Sequence, residues 1–389
     1  MGILKRITAL AICAAIMCTA VNTVFAENNN GGDTVNIKID GSKANTSENF
    51  LYRGQGMISC NGSSRLLLDY KEKNPESYSK ILEHLYGKNG LKFTHFKVEM
   101  GADVNTSSGT EPATMRYEDE KADVTRGAGF QLAADIKKIN PDVTLDMLWW
   151  SEPRWVTDAK DVYAARYKWY KQTLDAAYET YGLAFDYVSA NQNERTVDTD
   201  WIKYLSKALK SEKDCPYDYS EIKIVAADEC GTWGISRLMM KNKELCDAVD
   251  VIGSHYTSFA DDTTKKLAEE YGKELWFSEG SSPMTYAQSA YRFDEGNSGL
   301  TGLNGVLDIA NRMITMVSGG YMTQYEYQPA VAGYYDGVTY CHKQLINACT
   351  PWNGYYTLDS GYYMNLHFSQ FMDKGWSFIF DACYGDAKV

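Results

Sequence analysis

The chain has 389 residues, of which 39 are Lys or Arg and 51 are Asp or Glu, giving a formal net charge of −12. This acidic balance argues against nucleic acid and anionic membrane surfaces as partners, because phosphate groups would be repelled. A neutral sugar or glycolipid fits better, although the 13% aromatic content suits both sugar stacking and core filling.

The N-terminus predicts a secretion signal. Lys5 and Arg6 precede a mostly apolar run over 9–21, and Val24-Phe25-Ala26 resembles a cleavage site before polar residues begin. We expect cleavage after Ala26 and a secreted, extracellular protein; an uncleaved N-terminal anchor is the alternative. No later segment reaches the roughly 18 apolar residues of a spanning helix, so stable membrane insertion is not expected.

The nine cysteines form neither a disulfide framework nor a metal motif. Two lie in the first 26 residues, and the other seven are widely spaced with no C-x-x-C pair. The five histidines also form no paired motif. We therefore expect mostly buried thiols with at most one or two disulfides, and neither a metal nor another cofactor.

The predicted elements begin with one short strand candidate in residues 27–49, and from residue 50 strands alternate with helices. The strand candidates cover 50–59, 92–100, 143–150, 185–190, 222–227, 249–255, 275–278 and 321–328. The helical stretches cover 77–86, 122–139, 164–181, 201–209, 234–240, 265–271 and 302–317.

These eight units predict an α/β fold with a (β/α)8 TIM barrel over residues 50–340. Alternating strands and helices pair in parallel through crossovers, and eight units match a closed barrel better than an open sheet. No G-x-G-x-x-G loop opens a helix, which argues against a dinucleotide fold. Residues 341–389 carry short aromatic strands and no long helix. They predict the start of a truncated accessory β-sandwich, to which residues 27–49 contribute a strand.

Two glutamates follow strands that lie across such a barrel from each other. The fourth strand candidate runs into Asn193-Glu194 and the seventh into Glu279. TIM-barrel active sites lie at C-terminal strand ends, and glycoside cleavage needs one acid for the leaving oxygen and one carboxylate across the ring. We predict Glu194 as the acid/base, with a pKa raised by its negative neighbour, and Glu279 as the nucleophile. Asn193 is positioned to bind the sugar 2-hydroxyl.

Other strand ends supply candidate sugar-binding residues. The third strand candidate ends in Trp149-Trp150, and the sixth ends in His255-Tyr256. A tryptophan pair at the barrel rim favours a stacking platform over core filling. His255 fits a substrate-binding role and a satisfied core histidine equally well.

A series of motifs extends in one order over about residues 50–378. They are Gly56-Met-Ile-Ser, Ser64-Arg-Leu-Leu, Lys97-Val-Glu-Met-Gly, Ser108-Gly-Thr-Glu-Pro, Trp150-Ser-Glu-Pro-Arg-Trp, Asn193-Glu-Arg, Val249-Asp-Val-Ile-Gly-Ser-His-Tyr, Leu275-Trp-Phe-Ser-Glu, Gly320-Tyr-Met-Thr, Pro351-Trp-Asn-Gly-Tyr-Tyr and Lys374-Gly-Trp. Together they resemble glycoside hydrolase family 59, the galactosylceramidase family.

The resemblance implies a retaining β-galactosidase that acts on galactosylceramide and related galactolipids without metal or cofactor. It implies Glu194 as proton donor, Glu279 as nucleophile, and Asn193, Trp150 and Ser107 as galactose-binding residues. Ser107 stands where the family pattern has a threonine, so the alignment could instead fall on Thr106. In that family the sandwich continues further and is followed by a lectin-like domain, whereas this chain stops short of both.

Two other functions remain compatible with the residues. One is a retaining barrel glycosidase that cleaves other β-linked glycans, such as galactan polysaccharides. The other is a non-catalytic sugar-binding protein on a barrel, against which the two intact glutamates argue. The residues leave the oligomeric state open.

Overall fold

The computed structural model describes residues 36–59, 63–106, 109–281, 306–333, 344–379 and 383–385. The chain divides into two compact units: residues 52–374 form one, and residues 1–51 with 375–389 form the other. The predicted signal peptide and Ser107 lie outside the described residues. No helix in the described ranges combines the length and apolar character that a membrane span requires.

Eight parallel strands form the larger unit, which confirms the predicted barrel. Barrel strands that follow one another in the chain are also neighbours in the sheet. In this order they are β2 (Gly54–Ser59), β3 (His95–Glu99), β6 (Thr144–Leu148), β7 (Tyr187–Ser189), β8 (Lys223–Cys230), β9 (Val251–His255), β10 (Glu274–Gly280) and β11 (Met322–Tyr327). β11 pairs with β2. Hydrogen bonds from the Asp186 amide to the Leu145 carbonyl (3.0 Å) and from the Asn193 amide to the Trp149 carbonyl (3.1 Å) join β7 to β6 and close the ring.

Helices follow the strands and cover the outside of the barrel. They are α1 (Ser63–Lys73), α2 (Pro75–Tyr86), α3 (Ala128–Ile139), α4 (Arg154–Thr157), α5 (Val162–Tyr181), α6 (Thr199–Ser211), α7 (Gly234–Met239), α8 (Lys243–Ala248), α9 (Asp262–Tyr271) and α10 (Val306–Ser318). Local signals fix their ends: Asp161 caps the start of α5 through the Ala164 amide, and Gly182 ends it in the left-handed conformation.

Three of the elements that the sequence did not predict are α1, α8 and a hairpin. In α1 the buried face consists of Ser63, Ser64, Leu67 and Tyr70, so two serines interrupt the apolar pattern that marks a helix. Helix α8 has six residues, which is too short for a periodic signal. The third is a hairpin formed by β4 (Asn105–Thr106) and β5 (Gly109–Thr110) after the second barrel strand.

The lower part of the barrel interior is filled by aromatic rings. Trp276 of β10 contacts Tyr187 and His95 edge-on, with ring centroids 4.7 Å and 5.2 Å apart. Tyr187 and Trp276 also share a buried cluster with Val225 and Val251. A closed barrel of eight strands has room for packed side chains and no open channel, so the strand ends are where such a fold binds its ligands.

Residues 344–374 belong to the barrel unit. They contain β13 (Ile346–Thr350) and β14 (Tyr355–Leu358), which form an antiparallel pair, while the short β12 (Val331–Ala332) lies parallel to β13. They also contain α11 (Ser360–Ser369), which differs from the expectation of strands without a long helix. The sequence did not indicate this helix because its aromatic residues lie on several faces and do not form a single apolar stripe.

The second unit is built from both ends of the chain. Its strands β1 (Ile37–Ile39) and β15 (Cys383–Gly385) pair antiparallel, with Ile37 opposite Gly385. A single antiparallel bridge joins Asn45 to Phe378. This unit begins at Gly375 on its C-terminal side, so it holds less of the chain than the expected boundary at residue 341 would give.

Candidate active site

Glu194 lies in the loop after β7, and both neighbouring strands fix its backbone. The Glu194 amide donates to the Asp228 carbonyl in β8 (3.1 Å), and the preceding Asn193 amide donates to Trp149 after β6. The φ angle of Glu194 is 58°, a left-handed conformation that is uncommon for a residue with a Cβ. Asp228 and Tyr256, from the next two strand ends, have φ angles of 52° and 55°. Three consecutive strand ends therefore turn sharply, each presenting a polar side chain.

Glu279 lies inside β10, one strand beyond Tyr256, and is 2% exposed. Its pairing register with β9 shifts between Phe277 and Glu279, where Glu279 comes opposite His255. A bulge of this kind changes the direction in which the strand presents a side chain. The Glu279 carbonyl also accepts the Tyr256 amide (3.1 Å), which ties the ends of β9 and β10 together.

The carboxylates of Glu194 and Glu279 face each other. One oxygen of each lies within 4.8 Å of the other, and His255 Nδ1 lies 3.0 Å from Glu194 Oε1 and 3.7 Å from Glu279 Oε2. Retaining glycosidases hold their carboxyl groups about 5–5.5 Å apart, whereas inverting enzymes need about 6.5–9.5 Å to admit a water molecule. The upper bound of 4.8 Å between one oxygen of each group agrees with the retaining spacing.

Three side chains hold Glu279 in place. The Tyr256 hydroxyl donates a short hydrogen bond to Oε1, and Asn193 Nδ2 donates to Oε2 at 3.5 Å. His255 Nδ1 lies 3.7 Å from the same Oε2. The two residues that the sequence placed at the sixth strand end, His255 and Tyr256, therefore contact the carboxylates themselves.

A buried charge cluster lies beneath these residues. The Lys97 ammonium lies 2.9 Å from Glu326, 3.6 Å from Asp146 and 3.7 Å from Asp228. Asp228 in turn lies 3.5 Å from His255 Nε2. Because unpaired buried charges are costly, this arrangement links the barrel interior to the carboxylate pair through Asp228 and His255.

His255 carries a positive charge across the neutral pH range. Its ring is 0% exposed, and burial alone would favour the neutral form. Attraction to Glu279 and Asp228, with the hydrogen bond to Glu194, outweighs burial and raises the pKa of His255 to about 10. The imidazolium is thus the cation between the two glutamates.

This cation reverses one expectation from the sequence. Burial favours the neutral acid, but the hydrogen bond and charge of His255 together hold the pKa of Glu194 below its usual value. The expected rise, caused by the negative neighbour, is therefore wrong for the structure as it stands. Burial raises the pKa of Glu279, against the opposing effects of His255 and Tyr256.

Lys97 cannot keep all three of its carboxylate neighbours ionised. Burial raises the pKa of Glu326 to about 8 and the pKa of Asp146 to about 6, with Lys97 opposing the rise in both. For Asp228, burial is outweighed by Lys97 and His255, and its pKa lies far below the usual value. At neutral pH Asp228 is therefore the ionised partner, and Glu326 is mainly a neutral acid.

The two tryptophans expected to form a stacking pair have separate environments. Trp149 donates from Nε1 to the Tyr170 hydroxyl (2.6 Å) and packs edge-on against Trp169, which places it in the core behind the barrel. Trp150 forms a cluster with Ile58 and Leu148, and its carbonyl accepts Gln192 Nε2 at 2.7 Å. The paired platform is therefore wrong: both residues adjoin the loop that carries Asn193 and Glu194 through their carbonyls, but the Trp149 side chain lies in the core.

Sequence reasoning missed the buried charged residues that lie beneath the carboxylate pair. Asp228 directly follows the fifth strand candidate, so the strand-end rule applied to Glu194 and Glu279 could have found it. Asp146 and Glu326 are buried inside barrel strands, where a charged residue signals an internal ion pair. Their common partner, Lys97, could not be assigned without the three-dimensional structure.

A (β/α)8 barrel whose fourth and seventh strands present two facing carboxylates has the architecture of a barrel glycoside hydrolase. The family model described as glycosyl hydrolase family 59 matches residues 52–370. The chain belongs to this family.

Curated relatives agree with this assignment. The chain is 33% identical over 336 residues to the galactocerebrosidase of Macaca mulatta, covering 84% of this chain and 44% of that protein. It is also 33% identical over 336 residues to the galactocerebrosidase of Homo sapiens, with the same coverage. The chain therefore spans less than half the length of these relatives.

A solved structure shares the fold. SrfJ from Salmonella typhimurium has a TM-score of 0.69 at 16% sequence identity, covering 90% of this chain and 81% of that chain. At this level of identity the likeness concerns the barrel architecture alone.

Proposed function

We propose that this chain is a retaining β-galactosidase that hydrolyses galactosylceramide-type galactolipids. The observation that carries the proposal is the carboxylate pair of Glu194 and Glu279, with oxygens within 4.8 Å of each other. The spacing suits double displacement, and family membership together with the names of the curated relatives supports a galactolipid substrate.

In the first step Glu279 attacks the anomeric carbon and forms a glycosyl ester, while the bond to the aglycone oxygen breaks. Glu194 donates its proton to that oxygen. Glu279 suits the nucleophile role because Tyr256, Asn193 and His255 hold it in one orientation. Glu194 suits proton transfer because its side chain keeps 33% exposure, which lets it meet a leaving group that extends toward solvent.

The proton for this step lies close to Glu194. His255 Nδ1 is 3.0 Å from Glu194 Oε1, and a bound sugar that excludes water raises the pKa of the carboxyl. The His255 proton then moves to Glu194 along this hydrogen bond. Ester formation neutralises Glu279, and Glu194, after donating its proton, takes one from the water that cleaves the ester.

The sugar-binding part of the proposal places Asn193, Trp150, His255 and Tyr256 around galactose. Asn193 offers an amide beside the nucleophile, where a contact to the 2-hydroxyl strengthens in the transition state. Trp150 offers an apolar face at the third strand end. Ser107, which lies outside the described part of the chain, remains a predicted galactose-binding residue.

We further propose that the protein is secreted after cleavage behind Ala26. The support is the charged start, apolar run and small-residue site in the first 26 residues. A sphingolipid-degrading role outside the cell follows from this location and from the galactolipid substrate. Mass spectrometry of the protein from the culture medium tests it, because an intact N-terminus at Met1 would contradict cleavage.

Nucleophile rescue tests the mechanism. The Glu279→Gly variant should lose turnover of an aryl β-galactoside and, with added azide, should yield a glycosyl azide of inverted configuration. Glu229→Gln is the matched control, since Glu229 caps the Ile235 amide instead of facing Glu194. Undiminished activity of Glu279→Gly in azide-free buffer would refute the assignment.

A substrate panel tests the substrate class. Galactosylceramide in detergent micelles, an aryl β-galactoside and a galactan polymer are compared under the same conditions. The proposal expects turnover of the first two. Selective cleavage of the polymer would replace the galactolipid assignment by a polysaccharide one, and binding of sugars without any turnover would replace it by a lectin-like role.

A further inference from the structure

An arginine on the outside of the barrel holds one of the loops that form the proposed sugar site. Arg166 lies on the buried face of α5 and is 8% exposed. Its guanidinium donates to both carboxylate oxygens of Glu152, with Nη2 3.0 Å from Oε2. Glu152 follows Trp150 closely in the loop after β6. Arg166 therefore fixes this loop by a two-point ion pair of defined geometry.

The same side chain lies against both ends of the loop that carries Glu194. At the far end, Arg166 Nη1 is 3.9 Å from Asp198 Oδ2. At the near end, Trp201 Nε1 donates to the Ala190 carbonyl at 2.7 Å. The guanidinium carbon of Arg166 lies 4.9 Å from the centre of that Trp201 ring, within the range of a cation–π contact. Both ends of the loop are thus fixed by groups that contact one guanidinium.

The two loops are also joined to each other directly. The Asn193 amide donates to the Trp149 carbonyl at 3.1 Å, and Gln192 Nε2 donates to the Trp150 carbonyl at 2.7 Å. The centre of the Trp149 ring lies 5.4 Å from the Arg166 guanidinium, so the cation packs on the residue that accepts the Asn193 amide. A displacement of this cation would therefore move both loops together.

We propose that Arg166 is a positioning residue, which holds the loops of Glu194 and Trp150 in place from outside the barrel. The inference rests on the proposed glycosidase function. Glu194 has a φ angle of 58°, and a left-handed turn at a residue with a Cβ persists only when the surrounding structure over-determines it. The loop ends held at Arg166 supply this constraint. Because a misplacement of about 1 Å can cost about 10²-fold in rate, an anchor outside the site controls turnover.

The need for a proton donor distinguishes this role from plain stabilisation of the fold. Protonation by Glu194 matters most for a poor leaving group such as phenolate, and least for dinitrophenolate, which departs without a proton. A displaced Glu194 should therefore slow the cleavage of a phenyl β-galactoside more than that of a dinitrophenyl β-galactoside. A loss of folded protein, by contrast, lowers both rates by the same factor.

Kinetics of matched variants test the inference. Arg166→Met/Glu152→Met replaces the ion pair by apolar side chains and avoids the unpaired buried charge that a single substitution leaves. Its kcat/KM should fall at least about 10-fold more for the phenyl than for the dinitrophenyl galactoside. Arg166→Lys, which keeps the charge and loses the planar fork, should show the same preference to a smaller degree. Arg53→Met is the control, since Arg53 forms a similar two-point pair with Glu274 at the opposite end of the barrel, and it should affect both substrates equally. Equal factors in the Arg166 variants would overturn the positioning role.

Hydrogen exchange tests the same role without reference to turnover. The amides of Asn193 and Glu194 donate to neighbouring strand ends, and they should exchange at least about 10-fold faster in the double variant than in the parent. Mass spectrometry of the folded proteins measures this, with the amides of β9 as an internal reference that should not change. Unchanged exchange at Asn193 and Glu194 would overturn the inference. If the parent cleaves neither galactoside, the proposed function fails, while the exchange still decides whether Arg166 holds the loop.

Discussion

His255 Nδ1 lies 3.0 Å from Glu194 Oε1, so the proposed acid/base has a histidine as its direct hydrogen-bond partner. The other ring nitrogen faces Asp228 at 3.5 Å. Because the ring is charged and fully buried, it couples the protonation of Glu194 to that of the groups beneath. The first two predictions concern this coupling.

Replacing the ring by a neutral amide should shift the pH profile. In His255→Gln the pKa values of Glu194 and Glu279 should both rise, because the cation that favours their ionised forms is gone. Both limbs of the kcat/KM profile then move to higher pH, and kcat/KM falls by roughly 10²-fold. His84→Gln, a histidine packed against Tyr356 and Tyr362, serves as control. Unshifted limbs in His255→Gln would contradict the coupling.

The same ring should make the stability of the fold depend on pH. The folded pKa of His255 is about 10, above the unfolded value of about 6.5. Its contribution is therefore fully present below pH 6.5 and is lost as pH rises through 10. The free energy of unfolding, measured by urea titration between pH 6 and pH 10, should decrease less steeply in His255→Gln than in the unmodified protein. Parallel curves would refute this contribution.

Tyr256→Phe should weaken the nucleophile without disturbing the fold. The hydroxyl that donates to Glu279 Oε1 is removed, so the pKa of Glu279 should rise and the acidic limb of the profile should move to higher pH. Loss of one charge-assisted donor predicts a fall in kcat/KM of roughly 10–10²-fold. Tyr163→Phe, which removes a hydroxyl bonded to Asp198 instead, is the control. Steady-state kinetics measured as a function of pH test this prediction. An acidic limb that does not move would argue against this role of Tyr256.

The cluster around Lys97 predicts a difference between two buried acids. Asp228 is ionised and faces both Lys97 and His255, so Asp228→Asn should destabilise the protein by about 3–5 kcal/mol. Glu326, with its pKa raised to about 8, is mainly neutral at pH 7. Glu326→Gln should therefore cost only about 1 kcal/mol. Urea denaturation at pH 7 compares the two, and equal losses would rule out the assigned charge states.

The barrel was predictable from sequence because its signal repeats. Each strand candidate falls on an observed barrel strand, and strand-end chemistry located Glu194 and Glu279 before their distance was known. Segments with a weak apolar pattern were not predicted as helices. An example is α1, which has Ser63 and Ser64 on its buried face. The hydrophobic periodicity of a helix or strand can be recognised in a sequence only where the buried residues are apolar.

The electrostatics of the site could not be predicted, because they depend on contacts between distant strands. Lys97 and Glu326 lie far apart along the chain and are 2.9 Å apart in the fold. The positive charge of His255 is stabilised by Glu279 in β10, Asp228 in β8 and Glu194 in the loop after β7. This charge reverses the direction of the Glu194 pKa shift. The Trp149-Trp150 pair shows a second limit, since both residues follow the end of β6 and no strand alternation indicates where their side chains lie.

The left-handed backbone at Glu194, Asp228 and Tyr256 makes the stability of this rim depend on its own charged side chains. Such a conformation costs a residue with a Cβ about 1–2 kcal/mol, a cost that glycine avoids. The ionic contacts of Asp228 to Lys97 and His255 and the hydrogen bond between His255 and Glu194 offset that cost. Neutralising these charges would leave the strained turns without the contacts that compensate for them.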